Sequence, residues 1–155
     1  MILKSIKKIL SAIDYSDKSL EAADYSLLIS KDMNASLIFV NVLEIEPWLY
    51  GKRPYEWGSK EELDKAYHKE KKEMEKILYS ISNKADKMSI TIKTEILLTP
   101  RTKNVASAIV EYAENEKVDL IVVGTRGTSG LKKMLIGSVA TAVVTYAHCP
   151  VLVVK

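Results

Sequence analysis

The 155-residue chain has one cysteine, Cys149, so no internal disulfide can form. Such usage fits a reducing compartment, and the expected location is cytoplasmic. The two histidines, His68 and His148, are far apart in sequence and with Cys149 give no zinc-ligand spacing. No apolar run reaches the roughly 18 residues of a membrane span. The N-terminal "MILKSIKKIL" lacks a long apolar core and a small-residue cleavage site, so it is read as leading into a strand rather than as a signal peptide. A net charge of +3 with interspersed signs argues against a nucleic-acid partner. There is no internal repeat or low-complexity tract, and one domain over residues 1–155 is expected.

Glycine is also scarce. Of six in the chain, four fall within "VVGTRGTSGLKKMLIGSVA", Val122 to Ala140. Glycine costs backbone entropy and adds no packing, so a cluster marks tight turning or close backbone approach.

The rest of the chain alternates between two periodicities. "KKILSAID" (Lys7 to Asp14) reads as a strand. The next segment carries Leu20, Ala23, Leu27 and Leu28 at helical spacing, with Ser16 or Asp17 as N-cap. "ASLIFVNVLE" is apolar enough to be a strand buried on both faces. A loop containing Trp48, Tyr50, Tyr55 and Trp57 follows. The capping-box pattern "SKEE" at Ser59 then opens a long helix with Leu63, Tyr67, Met74, Leu78, Ile81, Ala85 and Met88 on one stripe. "SITIKTEILL" reads as the third strand, and "NVASAIVEYAENEK" as a helix facing inward through Val105, Ile109 and Tyr112. "VDLIVVG", a helix from about Gly137 and "PVLVVK" complete the order. Five strands alternating with four helices imply an α/β parallel sheet with helices on both faces. Ligands of such sheets sit beyond the carboxyl ends of the strands, where the order reverses. The strand ends carrying unusual chemistry are those at Asp14 and Gly124.

Two phosphate motifs fail against the glycine segment. No lysine follows a glycine in the Walker frame, and Gly124-x-x-Gly127-x-x-Gly130 follows the fourth strand rather than the first. The physics of anion binding still applies. Turn amides in "GTRG" can converge into a nest. Gly137-Ser138 opens a helix whose N-terminal amides and dipole favour negative charge, with the Ser138 hydroxyl as a further donor. Asp14 also fits an Asx-turn or cap, Val42 also fits core packing, and Arg126, Lys132 and Lys133 also fit solvated positions. Phosphoryl transfer needs metal-holding carboxylates and a positioned base. Asp14 is the carboxylate expected in the crevice, with Glu44 and Glu46 less firmly placed.

Gly124-x-x-Gly127, nine residues, then Gly137-Ser138 resembles the G-2x-G-9x-G-(S/T) motif of the ATP-binding branch of the universal stress protein family. The likeness extends to "ILSAIDYSDKSLEAA", "IFVNVLE" and "AHCPVLVV". It implies an open five-stranded parallel sheet of order 3-2-1-4-5, the adenine nucleotide alpha hydrolase-like arrangement. It also implies ATP with Mg2+ or Mn2+ as ligand. Ala12 and Asp14 would lie beside the adenosine, Val42 would offer main-chain contacts to adenine, and Gly124, Thr125, Arg126, Gly127, Thr128, Ser129 and Gly130 would wrap ribose and phosphates. Gly137, Ser138, Val139 and Ala140 would hold the phosphates, and Asp14 is the candidate metal ligand. Members are commonly homodimers paired through the last strand, which implies a nucleotide-dependent regulatory or stress-response role read by a protein partner. No catalytic residue is assigned. A slow ATPase or phosphotransferase, and a nucleotide-independent interaction module, are the alternatives. Tyr15 and "LLTPRTK" depart from the family pattern.

Overall fold

The computed structural model describes residues 5–45, 60–125 and 136–155. In chain order the elements are β1 (Lys8–Ala12), α1 (Asp17–Met33), β2 (Ser36–Ile45), α2 (Lys60–Lys87), β3 (Ile92–Pro100), α3 (Val105–Asn115), β4 (Leu120–Gly124), α4 (Ser138–Tyr146) and β5 (Val151–Val154). The strands form one sheet of order β3-β2-β1-β4-β5, and every neighbouring pair is parallel. The chain builds outward from β1 to β3, then crosses to the other side of β1 for β4. The reversal therefore falls between β1 and β4, whose ladder ends at Ala12 opposite Val123.

Period-2 alternation divides the sheet between two cores. Ile9, Ile13, Leu37, Phe39 and Val122 face α1 and α2, where Ala22, Ala23 and Leu27 meet Met74, Leu78, Ile81 and Ala85. Leu10, Ile38, Val40, Ile121 and Val123 face α3 and α4, against Ala106, Ile109, Ala113, Ala140 and Val143. Both faces of β1, β2 and β4 are covered, which is why these strands read as near-continuous apolar runs.

Local chemistry sets the helix ends. Ser16 caps α1 by accepting from the Ser19 amide at 3.2 Å, and Asn34 closes it in the left-handed region at φ 50°. Asn104 caps α3 through the Ala106 amide at 2.8 Å. The apolar half of α2 packs inward at Met74, Leu78, Ile81 and Ala85, while most of its first ten described residues stand exposed. Ser59, and the Leu63 side chain, lie outside the described residues.

Three sequence expectations shift. Leu28, placed on the inward stripe of α1, is 54% exposed. The buried stripe is instead Ser19, Ala22, Ala23, Ser26, Leu27 and Ser30. Serine serves there because its hydroxyl bonds locally: Ser26 Oγ donates to the Ala22 carbonyl and Ser30 Oγ to the Ala35 carbonyl, both at 2.7 Å. Tyr112, placed on the inward face of α3, is only partly buried, and Ala106, Ile109 and Ala113 fill that face. The third strand starts at Ile92 rather than near Ser89, because Ser89 takes a positive φ of 58° in the turn that closes α2.

Candidate nucleotide site

A cleft opens above the carboxyl ends of β1, β2 and β4, at the reversal point. It encloses about 650 Å³ of atom-free space, including open solvent at its mouth. Its walls combine Ala12, Asp14, Val42, Gly124, Thr125, Gly137, Ser138, Val139 and Ala140, all anticipated from sequence. Arg126, Gly127, Thr128, Ser129, Gly130, Lys132 and Lys133 lie outside the described residues. So do Glu46 and the aromatic positions Trp48, Tyr50, Tyr55 and Trp57. Glu44 is described and exposed, and it does not line the cleft.

Hydrogen bonds sort the main-chain groups into engaged and open ones. The Gly137 amide donates to the Thr125 carbonyl at 2.6 Å, and the Thr125 amide donates to the Val154 carbonyl at 2.7 Å. These two bonds pin the start of α4 to β4 and β4 to β5, so neither amide is available to a ligand. Gly137 gives α4 no side-chain cap. The first-turn amides of Ser138, Val139 and Ala140 therefore point outward from an uncapped helix start, as the first amides of any helix do.

Val42 is open for a different reason. The β1–β2 ladder ends at Ala12 opposite Val40, and one further bond runs from the Ile13 amide to the Val40 carbonyl at 2.8 Å. Alternate residues of a strand address the same neighbour, so the N–H and C=O of Val42 point toward β1's side. Continuing the ladder would send the Val42 amide to the Ile13 carbonyl. That acceptor is held instead by the Asn41 side chain, whose Nδ2 donates to it at 2.9 Å. The pairing stops, and Val42 presents a main-chain donor and acceptor past the end of β1.

Asp14 is woven into the loop that leads to α1. Its Oδ1 accepts from the Ser16 amide at 2.8 Å and from the Ser16 hydroxyl. Ser19 Oγ accepts from the Asp14 amide at 3.1 Å and donates toward the Asp14 carbonyl at 2.9 Å. This is the Asx-turn arrangement anticipated as one role, and the residue lines the cleft as well. Gly124 answers part of the question that the glycine cluster raises. A Cβ there would sit 2.7 Å from the Lys18 carbonyl carbon, 2.8 Å from its oxygen and 2.9 Å from the Ser19 nitrogen. What approaches Gly124 is the first turn of α1.

Sequence reasoning missed Asn41, Ser19 and the apolar wall made by Val40, Val105, Ile109 and Val123. Val105 and Ile109 face inward from α3, as the helical spacing predicts, and the cleft lies over the same face. Asn41 carried a visible signal, a lone amide inside the apolar run "IFVNVL". On the α2 side of the sheet, the Tyr15 hydroxyl donates to the Glu70 carbonyl at 2.7 Å. Burial, reinforced by the charges of Glu70 and Glu73, pushes the Tyr15 phenol up to about 12. His148 and Cys149 occupy the bend before β5, where His148 Nε2 meets the Val118 carbonyl at 2.9 Å.

No helix among the described residues is long and apolar enough to cross a membrane. Universal stress protein MJ0531 from Methanocaldococcus jannaschii is 39% identical over 149 residues, spanning 96% of this chain and 82% of that protein. Universal stress protein UspA from Lactobacillus plantarum shares the fold with a TM-score of 0.82, at 22% identity over 98% of this chain and 99% of that one. A universal stress protein in complex with cAMP matches with a TM-score of 0.66 and 25% identity, covering 98% of each chain. The universal stress protein family model matches residues 5–155, and the chain belongs to that family.

Proposed function

We propose that the cleft binds an adenine nucleotide, ATP together with Mg2+ or Mn2+, and that occupancy regulates what this chain binds in a stress response. One observation carries the reading. The open main-chain pair of Val42 and the uncapped first turn of α4 line a single cleft together with apolar residues. A purine needs a slot with a donor and an acceptor, and a polyphosphate needs outward amides at a helix start. Micromolar affinity requires about −8 kcal/mol. The helix dipole supplies about 0.3–2 kcal/mol of that, and charge-assisted bonds add about 1.5–3 kcal/mol each. Contacts to the base must supply the remainder. The relative solved with cAMP supports an adenine ligand.

A hard cation suits oxygen donors. Asp14, Thr125 and Ser138 place oxygen-bearing side chains along the cleft, so Asp14 would share the ion with the phosphates. The ion would neutralise phosphate charge. The protein would contribute orientation through α4 and the Asp14 loop.

The same reading includes a homodimer. β5 is the sheet's edge strand, and residues 150 and 154 direct their carbonyls to β4. By alternation the main-chain groups of Val151 and Val153 point away from the sheet, a free edge for a second copy. A protein partner would then read the nucleotide state.

The test is direct. Purified protein is denatured with acid and heat, and the supernatant is chromatographed. Stoichiometric adenine nucleotide, or a saturable heat on titration with ATP and Mg2+, is the expected result. Neither nucleotide nor heat would overturn the reading.

A further inference from the structure

The turn after β1 faces two ways. Asp14 lines the cleft, while the next residue, Tyr15, packs on the α2 side of the sheet. There its hydroxyl donates to the Glu70 carbonyl at 2.7 Å. Glu70 lies in the exposed first half of α2. Of the described side chains from Glu61 to Glu73 none is buried, and Met74, at 0% exposure, is the first to enter the core. About 20 Å of helix therefore precedes the point where α2 joins the body. Tyr15 touches this arm one turn ahead of that point.

Two pins bracket Tyr15. Ser19 Oγ accepts from the Asp14 amide at 3.1 Å and stands 2.9 Å from the Asp14 carbonyl, which fixes the Asp14 main chain. Ser16 is held as the cap of α1. Between them, the Tyr15 peptide takes its orientation from the bonds of Asp14 Oδ1 to the Ser16 amide, at 2.8 Å, and to the Ser16 hydroxyl. Those bonds belong to the carboxylate that lines the cleft, so a ligand that engages it competes with them. The contact to α2 is cheap to lose. It is exposed, so water replaces the phenol, and the Glu70 carbonyl also serves the Met74 amide as in any helix.

Building on the nucleotide reading, we propose that Tyr15 is a latch between the cleft and the first half of α2. A bound nucleotide with its cation draws the Asp14 carboxylate from Ser16, turns Tyr15 off Glu70 and frees the arm for a protein partner. The two states, latched and released, are discrete, and binding shifts their balance. Coupling is reciprocal, so a latch that the ligand opens also opposes the ligand.

The experiment follows hydrogen exchange of the α2 amides from Tyr67 to Met74 in the wild type and in Tyr15→Phe, with and without ATP and Mg2+. In the wild type, ATP should speed exchange by about two- to tenfold, the value of one hydrogen bond. Ligand-free Tyr15→Phe should already exchange at the faster rate, and ATP should add nothing. By reciprocity, calorimetric titration should show Tyr15→Phe binding ATP more tightly by the same factor. Exchange that is unchanged or slowed in the wild type with ATP bound, or equal acceleration in Tyr15→Phe, overturns the latch and leaves the nucleotide reading standing. Failure of the wild type to bind ATP overturns both.

Discussion

Replacing Gly124 with alanine would drive a methyl group into the backbone of α1. The new Cβ meets the Lys18 carbonyl carbon at 2.7 Å, its oxygen at 2.8 Å and the Ser19 nitrogen at 2.9 Å. None of these is the end of a flexible side chain. The turn itself is held by the Ser16 cap and by the Ser19 hydroxyl, which bonds the Asp14 and Ser16 carbonyls at 2.9 Å. It cannot yield without breaking those bonds. Overpacking of this kind costs about 1–3 kcal/mol. Alanine also stiffens the unfolded chain, which returns about 0.4–1 kcal/mol. The clash wins, with a net loss of about 1–2 kcal/mol. At about 2–4 °C per kcal/mol for a chain of this size, the melting temperature should fall by roughly 2–8 °C. Scanning calorimetry of ligand-free protein measures it. An unchanged or raised melting temperature would show that the approach of α1 is not what requires glycine here.

Gly137→Val crowds the entrance to the α4 amides and should weaken ATP by about a hundredfold or more in calorimetric titration, since it removes more than one charge-assisted bond; full affinity would place the phosphates elsewhere. Val153→Pro removes an outward edge donor while sparing the β4–β5 ladder, and light scattering should show loss of the proposed dimer; a dimer that survives does not pair through β5. Met74→Ala empties a fully buried site between α2 and the sheet, and denaturant unfolding should show a loss of about 2–5 kcal/mol. The raised Tyr15 phenol keeps its proton better folded than unfolded. Its contribution to stability is complete below the ordinary tyrosine value near 10 and fades as pH rises toward about 12. Ultraviolet titration should show a late tyrosine, lost in Tyr15→Phe.

Much of this architecture was readable from residue order, because β1, β2 and β4 are sandwiched and therefore apolar throughout. The whole-chain likeness supplied the strand order, which alternation alone does not fix. The errors have physical causes. Spacing places Leu28 inward, yet the face of α1 that meets the sheet is alanines and serines around the single Leu27, and their small volume allows close approach. Asn41 was passed over because a polar residue within a buried strand contributes to no periodicity. Its meaning depends on where β1 stops, which is a property of the paired strands. For the glycines, sequence pointed to close approach without naming the object. At Gly124 that object is the first turn of α1. At Gly137 the amide, expected to face a phosphate, donates to the Thr125 carbonyl instead.

The central claim is that particular main-chain groups stand open in one cleft and meet an adenine nucleotide. Backbone amide NMR of the protein titrated with ATP and Mg2+ tests it most directly. The amides of Val42, Ser138, Val139 and Ala140 should shift and saturate together. If ATP binds while those amides stay unmoved, or fails to bind at millimolar concentration, the account is contradicted.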